Sequence, residues 1–217
     1  MSLQNIGLMD GVCDMDLEKT RGKYNSYKEF LLNELMYIDS MFELYIYLKN
    51  QHVSRLDILN ISPAFFGLTE NALLESATIR LSRLYDSDKK TVTLKKFLNH
   101  VEQNRKLIFN ENDQPVIIDQ IRDDNKKFED FSEKINSLKE VRDTSLAHND
   151  YCKLEDGFDV WAGKNIVIRD IRALIAFGEN LINNYSRYSS NTAHSIKATN
   201  KLDVEYMLRV LEKNRKR

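Results

Sequence analysis

Proline and glycine are scarce in this chain, with 2 and 7 residues among 217. Both residues interrupt helices, so their scarcity favours long helical segments. It also argues against a β fold, which needs many tight turns. Charged residues make up 30% of the chain, which is typical of helices with one solvent-exposed face. The composition therefore predicts an all-α protein, and the length suits a domain with a substantial core.

Cysteine is scarce as well, and long apolar runs and an excess of one charge are absent. The two cysteines have no metal-ligand spacing and cannot form a disulfide framework, which favours a reducing cytoplasm. No run of about 18 apolar residues is present, and the acidic N-terminal segment does not resemble a signal peptide. The net charge of −1 provides no global basic field for nucleic acid. We expect a soluble cytoplasmic protein that uses no membrane and binds any nucleic acid locally.

Apolar residues recur at three- and four-residue spacing in six segments, which predicts six helices. The segments cover approximately residues 17–51, 63–85, 94–109, 116–148, 170–185 and 203–214. Ser62, Thr93 and Asp170 are suitable N-caps for the helices that follow them. The fourth helix contains a polar interruption at Asp124, where we expect a bend, and the pattern extends to His148.

The segments between the predicted helices are polar. Residues 151–165 are expected to form a loop or a small hairpin, and residues 186–200 a linker rich in Ser, Asn and Thr. These patterns divide the chain into a helical domain, residues 1–190, and a linker with a C-terminal amphipathic helix, residues 191–217.

An arginine and a histidine lie close together at the end of the fourth predicted helix. Histidine gives and takes protons near neutrality, and arginine binds phosphate oxygens through a planar fork of donors. At 100° per residue, five side chains lie within a sector of about 120° that continues the apolar stripe of the helix. They are Val141, Arg142, Ser145, His148 and Asn149. A buried stripe that becomes polar at its end is a candidate functional site.

These residues can cleave RNA without a metal. His148 can take the proton of a ribose 2′-hydroxyl, which then attacks the adjacent phosphorus, and Arg142 can stabilise the charge that develops on the phosphorane oxygens. Asp143 can orient one of these groups or pair with Lys139. Arg142 and His148 lie at opposite margins of the sector and about 9 Å apart along the helix axis, so one protomer does not complete the site. A homodimer that brings two such helix ends together completes it.

Simpler interpretations of these residues remain open. A histidine and an arginine at a helix C-terminus interact favourably with its negative end, and Asn149 and Asp150 suit the exit from a helix. A non-catalytic helical module that binds a protein or a nucleotide is a second functional hypothesis. A metal hydrolase is disfavoured because the four histidines, His52, His100, His148 and His194, show no ligand spacing, and we expect no cofactor.

Two segments resemble a known family. Residues 142–150 resemble the Arg, polar residue, spacer and Ala-His-x-Asp motif of HEPN domains, particularly the AbiU-like abortive-infection branch. Residues 77–86, followed by residues 91–94, resemble the Leu-x-Arg-Leu-aromatic-Asp segment and the Thr-x-Thr-Leu helix start of that branch. The two motifs also occur in the expected order. The resemblance implies an all-α HEPN-like bundle of four to five main helices, here followed by a short C-terminal helix.

The resemblance also implies a function and its residues. Catalytic HEPN proteins are metal-independent endoribonucleases of phage-defence and toxin–antitoxin systems, usually homodimeric, so RNA is the expected substrate and an antitoxin protein a further expected partner. By position, Arg142, His148 and Asp143 become the catalytic residues. Ser145, Asn149 and Asp150 would support them. For the second motif, Arg83 and Asp86 are expected to form a structural ion pair that closes their helix, with Tyr85 in the core.

Overall fold

The computed structural model describes residues 6–88, 90–146, 166–197 and 200–215; the side chains of residues 6–14 and 144–146 are outside the description. Regular structure in these ranges consists of eight α-helices and a short 3-10 turn, Glu111–Asp113, without strands. The helices are α1 Ile6–Ser54, α2 Leu56–Leu59, α3 Pro63–Leu84, α4 Leu94–Ile108, α5 Gln114–Asp130, α6 Ser132–Leu146, α7 Ile168–Ser190 and α8 Lys201–Arg215. The predicted all-α class is confirmed.

Helix α1 is the centre of the bundle. Its apolar stripe is buried as the sequence spacing predicts, with Leu31, Leu35, Ile38 and Phe42 fully inaccessible to solvent. Helices α3, α4 and α7 pack around this stripe. Gly178 of α7 allows the closest approach, since a Cβ atom there would lie 3.0 Å from Leu35 Cδ2. One long amphipathic helix thus organises the core.

The starts of α3 and α4 agree with the sequence, whereas α1 begins at Ile6, well before the predicted residue 17, and the N-cap of α7 is Val167 and not Asp170. The hydroxyl of Thr93 accepts a hydrogen bond from the backbone N–H of Lys96 at 3.3 Å, so the predicted cap of α4 is confirmed. Asp170 caps α7 from inside its first turn, where Oδ2 accepts from the N–H of Val167 at 3.2 Å. Ser62 occupies the N-cap position of α3, but its side chain makes no capping bond in the described structure.

The predicted single helix from residue 116 onward is broken at Phe131, which separates α5 from α6. Helix α5 continues through Asp124, where the sequence suggested a bend, and the observed interruption lies at Phe131. Asp124 is fully buried, and its carboxylate accepts a hydrogen bond from the hydroxyl of Tyr185 at 3.0 Å. A partner on α7 therefore stabilises a polar residue that would otherwise interrupt the helix.

The break at Phe131 lies in an aromatic cluster between α3, α5 and α7. The ring centroid of Phe177 lies 5.0 Å from that of Phe128 and 5.4 Å from that of Phe131. Tyr85, directly after α3, joins the cluster at 6.1 Å from Phe128, and its hydroxyl donates to the carbonyl oxygen of Leu174 at 2.6 Å. Tyr85 is a core residue, as predicted.

The segment after residue 186 contains more structure than the predicted linker. Helix α7 continues to Ser190 and ends at Asn191, whose φ of 51° is the left-handed conformation of a helix C-cap. The Asn183 side chain then donates to the carbonyl oxygen of His194 and accepts from its N–H, both at 2.8 Å. Residues after α7 are therefore held against it. The division of the chain at residue 190 stays a prediction.

Helix α8 packs on the far end of α1, together with the short α2 that the sequence pattern did not predict. This second apolar cluster contains Leu48, Ile58, Leu59, Phe66 and the fully buried Leu208. Arg55, between α1 and α2, donates through Nη1 and Nη2 to both carboxylate oxygens of Glu205 at 2.6 and 3.0 Å. Apolar contacts and an ion pair thus attach α8. None of the helices in the described ranges is long and apolar enough to span a membrane.

Candidate active site

Arg142 lies near the end of α6, beside the buried stripe of that helix. Leu138 and Val141 of the same helix are buried in the core, and α6 packs mainly against α3. The Arg142 side chain is 17% exposed, so its guanidinium lies at the edge of the core. The sequence predicts that the buried apolar stripe of this helix becomes polar at its C-terminal end, and Arg142 lies at that position.

Asp86, the last residue of the second motif, binds the Arg142 guanidinium. Nη1 of Arg142 donates to Oδ2 of Asp86 at 2.6 Å, and the Ser87 N–H donates to Oδ1 at 2.7 Å. Tyr85 is fixed in the aromatic cluster, so the chain leaves α3 in a defined direction and brings Asp86 to α6. The two sequence motifs therefore meet at one guanidinium.

The expected ion pair between Arg83 and Asp86 is wrong. Asp86 binds Arg142 from α6, and Arg83 is an exposed residue with no ion pair to any residue in the described ranges. The backbone still turns at this point, since the Asp86 N–H donates to the carbonyl oxygen of Arg83 at 3.2 Å, but the Asp86 carboxylate binds Arg142 of α6 instead of the Arg83 side chain.

Asp143 is the second carboxylate on the same guanidinium. Its Oδ1 accepts a hydrogen bond from Nε of Arg142 at 2.8 Å, and the side chain is 64% exposed. The sequence left open whether Asp143 pairs with Lys139; the described partner is Arg142. Two carboxylates therefore surround one guanidinium, and the three groups together carry a net charge of −1.

The ionisation of these groups follows from their contacts. Partial burial by itself would raise the pKa of the Asp86 carboxyl. The hydrogen bonds from Arg142 and the Ser87 N–H, together with the positive charges of Arg142 and Lys139, have a larger opposite effect, so this pKa lies below its usual value. The hydrogen bond to Asp143 raises the pKa of Arg142, and the contact with Asp86 raises it further. Partial burial acts in the opposite direction but is outweighed. Both shifts favour the charged forms of Asp86 and Arg142 at neutral pH.

The other predicted site residues lie beyond or at the margin of the described structure. His148, Asn149 and Asp150 are outside the described residues. Ser145 belongs to α6, but its side chain is not described. The structure therefore positions the arginine half of the predicted catalytic pair. Within the described ranges, no group of three or more His, Cys, Asp or Glu side chains is arranged to hold a metal ion.

The contact of Asp86 with Arg142 is the feature of the candidate site that sequence reasoning missed. The second motif identified the residue, but helical spacing suggested a local partner rather than one 56 positions away. The only sequence feature that could have suggested this contact is that both family motifs occur in the same chain. A guanidinium held at the edge of the core has the geometry and charge to bind a phosphate oxygen.

A comparison with protein families identifies the chain. The family model HEPN_AbiU2, described as AbiU2, matches residues 25–207, a range that contains both motifs and extends from α1 into α8. The chain belongs to the HEPN_AbiU2 family of the HEPN superfamily, and the resemblance seen in the two motifs is confirmed. Comparisons with curated proteins and with solved structures gave no match.

Proposed function

We propose that this protein is a metal-independent endoribonuclease of the phage-defence or toxin type. The contact between Arg142 and Asp86 carries the proposal, because it joins the two motifs at a residue suited to bind phosphate. Membership in the HEPN_AbiU2 family is consistent with ribonuclease-type phage defence. RNA is the substrate, and an antitoxin protein that restrains the activity is a further partner.

In the proposed reaction, His148 takes the proton of a ribose 2′-hydroxyl. The hydroxyl oxygen attacks the adjacent phosphorus, the bond to the 5′ oxygen breaks, and a second proton donor protonates that leaving oxygen. Arg142 stabilises the charge on the nonbridging phosphate oxygens, which is greatest in the transition state. Asp143 lies beside Arg142 in this site, and Ser145, Asn149 and Asp150 are proposed to support the catalytic residues. The products are a 2′,3′-cyclic phosphate and a 5′-hydroxyl.

The site is proposed to be shared between two protomers. If the helix continues from Leu146 to His148, as the sequence pattern predicts, the six-residue interval would place Arg142 and His148 about 9 Å apart along its axis, and a second helix end would then be needed to complete the site. A homodimer supplies that second end and a second proton donor. Light scattering tests this requirement, since an active protein that remains monomeric at assay concentration contradicts it.

Incubation of the purified protein with a panel of RNAs in EDTA tests the function. Wild type is expected to cut at least one RNA, and Arg142→Ala and His148→Ala are expected to lose at least 100-fold in rate. His194→Ala is a matched histidine control, because the described bonds of His194 to Asn183 use its backbone. Intact RNA throughout the panel, or unchanged cutting by His148→Ala, contradicts the proposal. RNA binding without cutting would favour the non-catalytic module.

A further inference from the structure

We infer that the two carboxylates on Arg142 have different roles: Asp86 is a positioning residue that stays bound to the guanidinium, and Asp143 occupies the place that an RNA phosphate takes. This inference rests on the proposed ribonuclease function. It states where an RNA phosphate binds on the Arg142 guanidinium, and it gives different roles to two aspartates that carry the same charge.

Asp86 is held on both sides of its carboxylate. Oδ2 accepts from Arg142 Nη1 at 2.6 Å, Oδ1 accepts from the Ser87 N–H at 2.7 Å, and only 22% of the side chain is exposed. The preceding residue, Tyr85, is buried and bonded to Leu174 of α7. Movement of Asp86 away from Arg142 would break these contacts and leave a partly buried guanidinium without its inner partner. Asp86 therefore keeps Arg142 in one orientation.

Among the described residues, Asp143 is held on one side only. Its described bond is from Arg142 Nε to Oδ1 at 2.8 Å, and 64% of its side chain already contacts solvent. A rotation about its χ1 angle moves this carboxylate into water at little desolvation cost, since most of its hydration is already present. Of the two carboxylates, Asp143 is the one that can leave.

The position of Asp143 on the guanidinium matches the needs of a phosphate. Nε and Nη2 form one edge of the planar group, and two parallel N–H donors on such an edge bind two oxygens of a carboxylate or a phosphate. Asp143 bonds to Nε on that edge, whereas Asp86 bonds to Nη1 at the other end. A phosphate that takes the Nε edge displaces Asp143 and leaves Asp86 in place.

The net charge gives Asp143 a regulatory effect on RNA binding. With both carboxylates close to one guanidinium, the group carries −1 and repels a phosphate; when Asp143 turns away, the remaining pair is neutral. The more exposed Asp143 thus weakens RNA binding, and the less exposed Asp86 improves the alignment of the bound phosphate. Replacement of each residue by its amide should therefore change a different quantity, kcat for Asp86 and RNA affinity for Asp143.

Steady-state kinetics and binding on the same RNA test this assignment. Asp86→Asn is expected to lower kcat by roughly 10- to 100-fold with little change in KM, since it misplaces Arg142 without removing it. Asp86→Glu should recover part of that loss, because the charge is restored. Asp143→Asn is expected to tighten binding of the 2′-O-methyl form of the RNA, which cannot be cut, by roughly 3- to 10-fold.

A second ion pair provides the control. Arg80 of α3 donates to both carboxylate oxygens of Glu34 of α1 at 3.0 and 3.1 Å, and the Glu34 side chain, 23% exposed, matches Asp86 at 22%, although Arg80 is more exposed than Arg142; Glu34→Gln therefore removes an ion pair at a carboxylate of similar exposure. It is expected to leave kcat and RNA affinity unchanged. This variant shows what the loss of an ion pair does by itself.

The outcomes separate the inference from the function on which it rests. A wild type that cuts no RNA contradicts the proposed function. A wild type that cuts RNA, with a folded Asp86→Asn variant of equal kcat, overturns the positioning role, and weaker RNA binding by Asp143→Asn overturns the displacement. If Asp86→Asn does not fold, Asp86→Glu decides the positioning role through its intermediate kcat, and equality with wild type contradicts it.

Discussion

Nη1 of Arg142 and Oδ2 of Asp86 lie 2.6 Å apart, although 56 positions separate the two residues in the chain. The contact joins the end of α6 to the turn after α3. It has two consequences, one for the stability of the fold and one for the chemistry of the site. The first can be measured without any substrate.

The Asp86–Arg142 pair should stabilise the protein above acidic pH and lose this effect in acid. The pKa of Asp86 is lowered in the folded protein, so the charged carboxylate favours folding at pH values above its unfolded pKa of about 3.9. As pH falls through the lower folded-state pKa, the contribution disappears. Urea unfolding of wild type and Asp86→Asn should differ by about 1 kcal/mol at pH 7 and by less below pH 4. A difference that persists or grows in acid contradicts this account.

Tyr185 should be important because it is a partner of a fully buried carboxylate. Asp124 has no exposed surface, and it accepts hydrogen bonds from Tyr185 Oη at 3.0 Å and Gln120 Nε2 at 3.1 Å. Tyr185→Phe should lower the free energy of unfolding by about 1–3 kcal/mol, since it removes one partner of the buried carboxylate. Tyr206→Phe, on the exposed face of α8, should change it little. Equal effects of the two substitutions in denaturant unfolding would contradict this role.

Two helical glycines should respond in opposite directions to alanine. Gly67 of α3 has open space around its Cβ direction, so Gly67→Ala should stabilise the protein by about 0.5–1 kcal/mol through helix propensity. A Cβ on Gly178 would lie 3.0 Å from Leu35 Cδ2 and 3.3 Å from Leu94 Cδ1, and both leucines are fully buried. Gly178→Ala should therefore destabilise by roughly 1 kcal/mol. Thermal unfolding of both variants measures the sign, and stabilisation by Gly178→Ala contradicts the packing.

The attachment of α8 should depend on Arg55. This arginine bonds both oxygens of Glu205 and, through Nε, Glu212 at 2.8 Å, so it connects two turns of α8 to the end of α1. Arg55→Met should increase amide hydrogen exchange in residues 201–215 selectively. Arg209→Met removes a more exposed contact to the same Glu205 and should have a smaller effect. Equal exchange in the two variants would show that apolar packing alone holds α8.

Much of the fold could be predicted from periodicity because each long helix buries one regular stripe. The errors occur where a distant residue stabilises a local irregularity. Asp124 suggested a bend, but α5 continues through this residue, whose carboxylate binds Tyr185 of α7, and the interruption lies at Phe131, whose ring packs against Phe177. The short α2 has too few residues to show a period.

The site could be predicted in its residues but not in its contacts. Helical spacing placed Arg142 at the polar end of a buried stripe, which is where it lies. The same reasoning paired Asp86 with a neighbour on its own helix, because i, i+3 and i, i+4 contacts are all that one helix can indicate. The true partner depends on how α3 and α6 pack, and a single sequence does not contain that information in any local pattern.

The chemistry of the cut ends tests the central claim most directly. RNA cut by the protein in EDTA should yield 5′ fragments that end in a 2′,3′-cyclic phosphate, identified by mass. A single 2′-deoxy nucleotide on the 5′ side of the cut should abolish cleavage there, and Arg142→Ala and His148→Ala should leave the RNA intact. Fragments ending in a 3′-hydroxyl, or continued cutting at the 2′-deoxy position, would contradict attack by the 2′-hydroxyl and with it the proposed site.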